Sequence, residues 1–138
     1  MPHREHSFDV TTIWYRAPEV LWEDPAFGCK VDLWALGLVM AEMTGYVFHH
    51  TPAGTMPADS AFRHGRALVK QLGTPEVSSR STWTGWKAIS PAVVRQPWEG
   101  NVRQLVGSSG ELLLDALLQW DPKQRPSARL AGEHVFLN

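Results

Sequence analysis

A mainly α-helical fold is what this sequence predicts, and three observations carry the prediction. Val31 to Thr44 is rich in Leu, Val, Met and Ala, long enough for a helix, and stopped by Gly45. Ser108-Ser109-Gly110-Glu111 is a capping box in front of the amphipathic stretch Leu112 to Trp120. Elsewhere Pro and Gly punctuate the chain, and runs with the period-two alternation of strands are almost missing.

The elements follow in order. Residues 1 to 16 mix polar and aromatic side chains without a period and suit an extended loop. Pro18 is placed to open a short helix, because its missing N–H costs nothing in a first turn. The stretch Val31 to Thr44 is apolar nearly all round, which predicts a central buried helix rather than a surface one. Thr51 to Pro57 reads as a loop. Asp59 or Ser60 then caps a helix to about Leu72, closed by Gly73-Thr74-Pro75 and weakened at Gly65 by about 1 kcal/mol against Ala. Glu76 to Gly107 reads as a long loop with one or two short helical turns. The helix from Leu112 ends at Asp121-Pro122, and Ser127 caps a last short one to about Glu133.

Composition narrows the function classes. At 138 residues the chain suits one domain with a real core. Its 43% hydrophobic and 20% charged content is ordinary for a globular protein, and the net charge of −1 offers no footprint for nucleic acid or an anionic membrane. Cys29 is alone, which excludes an internal disulfide and fits a reducing compartment. The longest apolar run, Leu33 to Ala41, is about half of what spans a bilayer. The expected location is intracellular, in cytoplasm or nucleus, with no membrane and no nucleic acid as partner.

Two stretches carry most of the functional information. Thr11 to Leu21 reads T-T-I-W-Y-R-A-P-E-V-L, and Val31 to Met43 reads V-D-L-W-A-L-G-L-V-M-A-E-M. Behind them come Leu72-Gly73-Thr74-Pro75, then Asp121-Pro122-Lys123-Gln124-Arg125-Pro126-Ser127-Ala128, then His134-Val135-Phe136. An Ala-Pro-Glu closes the activation segment of protein kinases. In this order and spacing the set resembles the C-terminal lobe of a CMGC-group, cyclin-dependent-kinase-like Ser/Thr protein kinase, with Val135 where the closing H-P-F motif has proline. The resemblance implies the helical lobe of the protein-kinase fold: residues 1–22 ending the activation segment, a central helix over 29–45, a helix over 58–73, a long loop over 74–107 and C-terminal helices over 108–138.

The resemblance also assigns roles residue by residue. Glu19 matches a buried carboxylate that pairs with the arginine matched by Arg125. Asp32 matches the aspartate that anchors the catalytic loop. Thr11, Thr12 and Arg16 match substrate-positioning residues; Thr12 corresponds to the threonine beside the catalytic aspartate, and Thr11 with Arg16 to the pocket favouring proline after the phosphorylated residue. That pocket more often has an aliphatic residue where Thr11 stands. Ser7 falls five residues before Thr12, where cyclin-dependent kinases carry their activating phosphothreonine, and is a candidate phosphosite.

Kinase chemistry needs groups that this sequence does not contain. Complete kinases bind ATP and Mg²⁺ through a Gly-rich loop, a V-A-I-K lysine, an H-R-D catalytic loop and a D-F-G aspartate. None of these occurs here. Ala26-Phe27-Gly28 is a decoy, since alanine cannot hold a metal and the tripeptide follows Ala-Pro-Glu. The expectation is therefore no cofactor, no metal and no catalytic residue in this chain, which is inactive by itself. Six histidines invite a metal reading, but His49-His50 are adjacent and point apart, and His3 and His6 belong with a mobile terminus. Of seven tryptophans, Trp14, Trp34 and Trp120 are expected in the core and Trp83, Trp86 and Trp98 half-exposed.

Three function classes stand beside one another. The chain is part of a complete Ser/Thr kinase that phosphorylates Ser or Thr followed by Pro, or a stand-alone kinase-like module that binds kinase substrates or regulators, or a decayed remnant. Met1 directly before the activation segment weighs toward the first and third. The expected partners are a protein substrate or kinase regulator and the missing N-terminal part of a kinase. Without that part, the face of the central helix around Asp32 and Leu36 should be open.

Overall fold

The computed structural model describes residues 13–46, 48, 57–87, 89, 91–98 and 100–137, and among them every regular element is helical. A 3-10 turn, Ile13–Tyr15, leads into the short helix α1, Pro18–Leu21, where Pro18 stands at the first helical position and Ala17 is extended. Helix α2, Val31–Met43, is the hub. Helix α3 spans Pro57–Leu72, beginning before the expected caps Asp59 and Ser60. Helix α4, Val77–Arg80, is one turn inside the loop that the sequence predicts after Glu76.

Helix α5, Asn101–Leu117, corrects the sequence reading at its front end. Residues 101–106 are already helical, and the helix is interrupted by Gly107 at φ 67°, ψ −172°. Only a glycine adopts that backbone at little cost, so the chain turns there and restarts near the expected Ser108. The capping box itself does not close: neither Ser108 nor Glu111 makes a capping hydrogen bond among the described residues, and Glu111 Oε1 instead lies 3.8 Å from Arg103 Nε. Asp121 accepts from the Lys123 N–H at 2.9 Å and starts a 3-10 turn, Pro122–Gln124. Ser127 Oγ accepts from the Leu130 N–H at 3.2 Å and caps helix α6, Ala128–Gly132. A last 3-10 turn, Val135–Leu137, follows.

Helices α2 and α5 pack most extensively. Leu33, Trp34, Gly37, Leu38 and Ala41 form the buried face of α2. Its opposite face is open: Leu36 is 48%, Val39 43% and Met43 81% exposed. The expectation of a helix buried all round is therefore corrected, because the described elements cover one side only. The open side is the one that includes Asp32 and Leu36.

Aromatic packing is the other organising feature. Trp22, which the sequence reading passed over, stacks on Trp83 at 5.1 Å, meets Trp86 edge-on at 4.8 Å and lies 5.8 Å from Trp120. Trp120 continues to Trp34 at 5.7 Å. Trp83 and Trp98 are buried, not half-exposed as expected; Trp86 is half-buried, and so is Trp14, which was expected in the core. The reason is the loop after α4, which is not a loose surface excursion. Gly85 donates its N–H to the Trp22 carbonyl at 2.9 Å, Thr84 donates to the Glu23 carbonyl at 2.8 Å, and Thr82 donates to Asp24 Oδ2 at 2.6 Å. Trp98 is held by Nε1 donating to Asp115 Oδ1 at 2.9 Å. With these backbone and hydroxyl bonds fixing the loop, Trp83 and Trp98 lie in the core and Trp86 packs against its edge.

Candidate functional site

Two of the residues singled out by sequence, Glu19 and Arg125, meet at the junction of α1, the start of α2 and the chain after α5. Arg125 leaves the 3-10 turn behind α5 and reaches inward with its side chain fully buried. Its Nη1 donates to Glu19 Oε2 at 2.8 Å and its Nη2 to Glu19 Oε1 at 2.8 Å. This is the parallel two-bond arrangement that a planar guanidinium makes with a carboxylate. Glu19 is brought there by the first turn of α1, whose direction is set by Pro18.

The remaining donors of Arg125 are also used. Nε donates to the Gln119 carbonyl at 2.8 Å, Nη1 to the Lys30 carbonyl at 3.1 Å and Nη2 to the Trp120 carbonyl at 3.4 Å. Five guanidinium N–H groups thus meet five acceptors, which is what a buried charge requires to persist. Lys30 Nζ donates back to the Arg125 carbonyl. The guanidinium carbon sits 5.1 Å from the centre of the Trp34 ring, within cation–π range. Lys30 and Trp34 are partners that sequence reasoning missed. No side-chain motif announces a backbone carbonyl as an acceptor, so the Lys30 contribution had no signal to find.

The other candidates are more dispersed. Asp32 lies in the first turn of α2, exposed to solvent. Arg16 is half-buried between the 3-10 turn and α1. Thr11, Thr12 and Ser7 lie outside the described residues, as do His49 and His50. Tyr15 donates its hydroxyl to Glu42 Oε2 at 2.8 Å, and that hydrogen bond raises its pKa, with burial and the Glu42 charge acting in the same direction.

Chemically, the Glu19–Arg125 centre organises structure rather than transforming a substrate. Both carboxylate oxygens are engaged by one guanidinium, and every N–H of that guanidinium is already occupied. Asp32 is exposed at a helix start, and among the described residues no three His, Cys, Asp or Glu side chains come together. Among those residues no helix is long and apolar enough to cross a membrane.

Comparison with known proteins agrees with this geometry. Residues 2–137 match the family described as protein kinase domain. The chain is 35% identical over 133 residues to serine/threonine-protein kinase MAK of Rattus norvegicus, and equally to that of Mus musculus. In each case 92% of this chain is covered but only 20% of the relative, so the chain spans about a fifth of the length of the curated relatives it matches. With a helical lobe in place, a family match across nearly its whole length and a buried Glu–Arg pair behind Ala-Pro-Glu, the chain belongs to the protein kinase domain family.

Proposed function

We propose that this chain is the substrate-side helical part of a Ser/Thr kinase of the CMGC group, and that it takes part in phosphoryl transfer only when joined to a part carrying the ATP, Mg²⁺ and catalytic-base groups. The Glu19–Arg125 pair carries the reading, because it ties the segment ending in Ala-Pro-Glu to the base of α2 and the chain after α5. In a complete enzyme that tie would hold the end of the activation segment still while a protein substrate docks beside it. Thr12 would then position the substrate hydroxyl. Thr11 and Arg16 would line the pocket next to the phosphorylated residue, with proline preferred there. Ser7 would be the phosphorylation site of the segment. Asp32, exposed at the start of α2, would anchor a catalytic loop supplied by the other part. An intracellular location follows from the same reading.

Two measurements test it together. Calorimetric titration of the chain alone with ATP·Mg²⁺ is expected to show no saturable heat, because the groups that bind phosphates in kinases are missing from its sequence. Fusing the upstream half of a related Ser/Thr kinase to Met1 is expected to give a protein that phosphorylates Ser-Pro peptides in preference to Ser-Ala peptides. Phosphorylation by the chain alone, or an active fusion indifferent to proline, would overturn the corresponding half of the proposal.

A further inference from the structure

Arg63, Arg66 and Lys70 stand at positions i, i+3 and i+7 of α3 and so share one face, about 10 Å long at the rise of an α-helix. They border an open groove with a cavity volume of about 650 Å³ whose apolar floor includes Phe48, Ile89 and Val93. A second cavity of about 370 Å³ shares Phe48 and Lys70 and carries the groove on toward Gln96. No carboxylate lines either cavity among the described residues. Every ion pair formed among the described residues uses other cations, and the Arg66 guanidinium stands 5.9 Å from the centre of the Phe62 ring.

Three like charges along one helical face repel one another, and this chain, with a net charge of −1, has carboxylates enough to pair them elsewhere. Among the described side chains none forms an ion pair with them, and they face solvent over half-buried apolar groups. We propose that this groove docks an acidic peptide segment of a partner protein, one in which Asp or Glu residues alternate with Leu, Ile or Phe. The carboxylates would meet Arg63, Arg66 and Lys70 while the apolar side chains cover Ile89, Val93 and Phe48. Phe48 is the one aromatic ring among the residues lining the first cavity and the rest of its floor is aliphatic, so successive bases would find no row of rings to stack on and a peptide fits better than a single-stranded nucleic acid. The proposal rests on the surface of α3 and not on the catalytic reading, and the two fail independently.

A random-peptide phage library selected on the full chain tests it. Recovered peptides are expected to be enriched in Asp and Glu interspersed with Leu, Ile or Phe. By fluorescence anisotropy, the labelled winners should bind about tenfold or more weakly to Arg66→Glu/Lys70→Glu, and weaken with added salt. Lys123→Glu, an exposed cation away from the groove, should leave binding unchanged. Replacing Glu by Gln in the peptide should weaken binding in the same way, and that change leaves the protein untouched, so misfolding of a variant cannot mimic the result. Failure to recover any peptide, peptides without acidic enrichment, equal binding to the double variant, or tighter binding of a single-stranded oligonucleotide to the same groove would each overturn the proposal.

Discussion

Trp22 occupies the space that a side chain on residue 65 would need: a Cβ on Gly65 would come within 2.6 Å of Trp22 Cζ2. The indole cannot withdraw cheaply, since it is stacked on Trp83 and bounded by Trp86 and Trp120. From the sequence alone Gly65 is a weak point in a helix. In the structure it is the gap through which α3 approaches α1.

Gly65→Ala should therefore destabilise the protein despite the better helix propensity of alanine. Overpacking costs about 1–3 kcal/mol and the propensity gain returns at most about 1 kcal/mol. Denaturant melts give the sign: a lower midpoint is expected, and a higher one would mean that the two helices are not in this contact.

The two sides of α2 should respond differently to substitution. Leu38 is buried, and Leu38→Ala should cost about 2–5 kcal/mol by leaving a cavity. Leu36→Lys on the open side should change stability by no more than about 0.5 kcal/mol. It should also reduce binding of a hydrophobic dye, because it interrupts the apolar strip of Leu36, Val39 and Met43. Equal losses at the two positions would show that α2 is covered on both sides.

Both tyrosines of the chain have pKa values raised above 10.0, Tyr15 by its hydrogen bond to Glu42 and Tyr46 by burial. A raised acid favours folding while the phenol is neutral. That contribution is complete below pH 10 and is lost as pH rises through the native-state values. The phenolate absorbance of the native protein should thus rise at higher pH than that of the denatured chain. A native titration at or below the denatured one would contradict the contacts at Glu42 and in the core.

The parts legible in the sequence were those written in side-chain pattern. The apolar run of α2, Pro18 at the start of α1 and Ser127 capping α6 each follow from a local rule and appear where the rule puts them, whereas α5 ends at Leu117, before the expected stop at Asp121-Pro122, which instead starts a 3-10 turn. Glu19 and Arg125 were linked only through family resemblance; 106 residues apart, they have no local signal that joins them. The parts not legible depend on backbone acceptors and on tertiary space. The burial of Trp83 follows from bonds to the carbonyls of Trp22 and Glu23, and the early start of α5 follows from a glycine break that ends one helical segment and begins another. The exposure of one side of α2 depends on which elements surround it, which periodicity cannot report.

One saturated guanidinium, that of Arg125, holds α1, the start of α2 and the chain after α5 together. Equilibrium denaturation of the native protein, Arg125→Met, Glu19→Gln and the double variant tests it most directly. Each single change should lower stability by about 3–5 kcal/mol, because it strands a buried group without its partner. The double variant should lose less than the sum of the two and recover part of the loss, since no uncompensated charge remains. An unfolding midpoint for Arg125→Met equal to that of the unaltered chain would contradict the account, for it would mean that the pair is solvated and holds nothing.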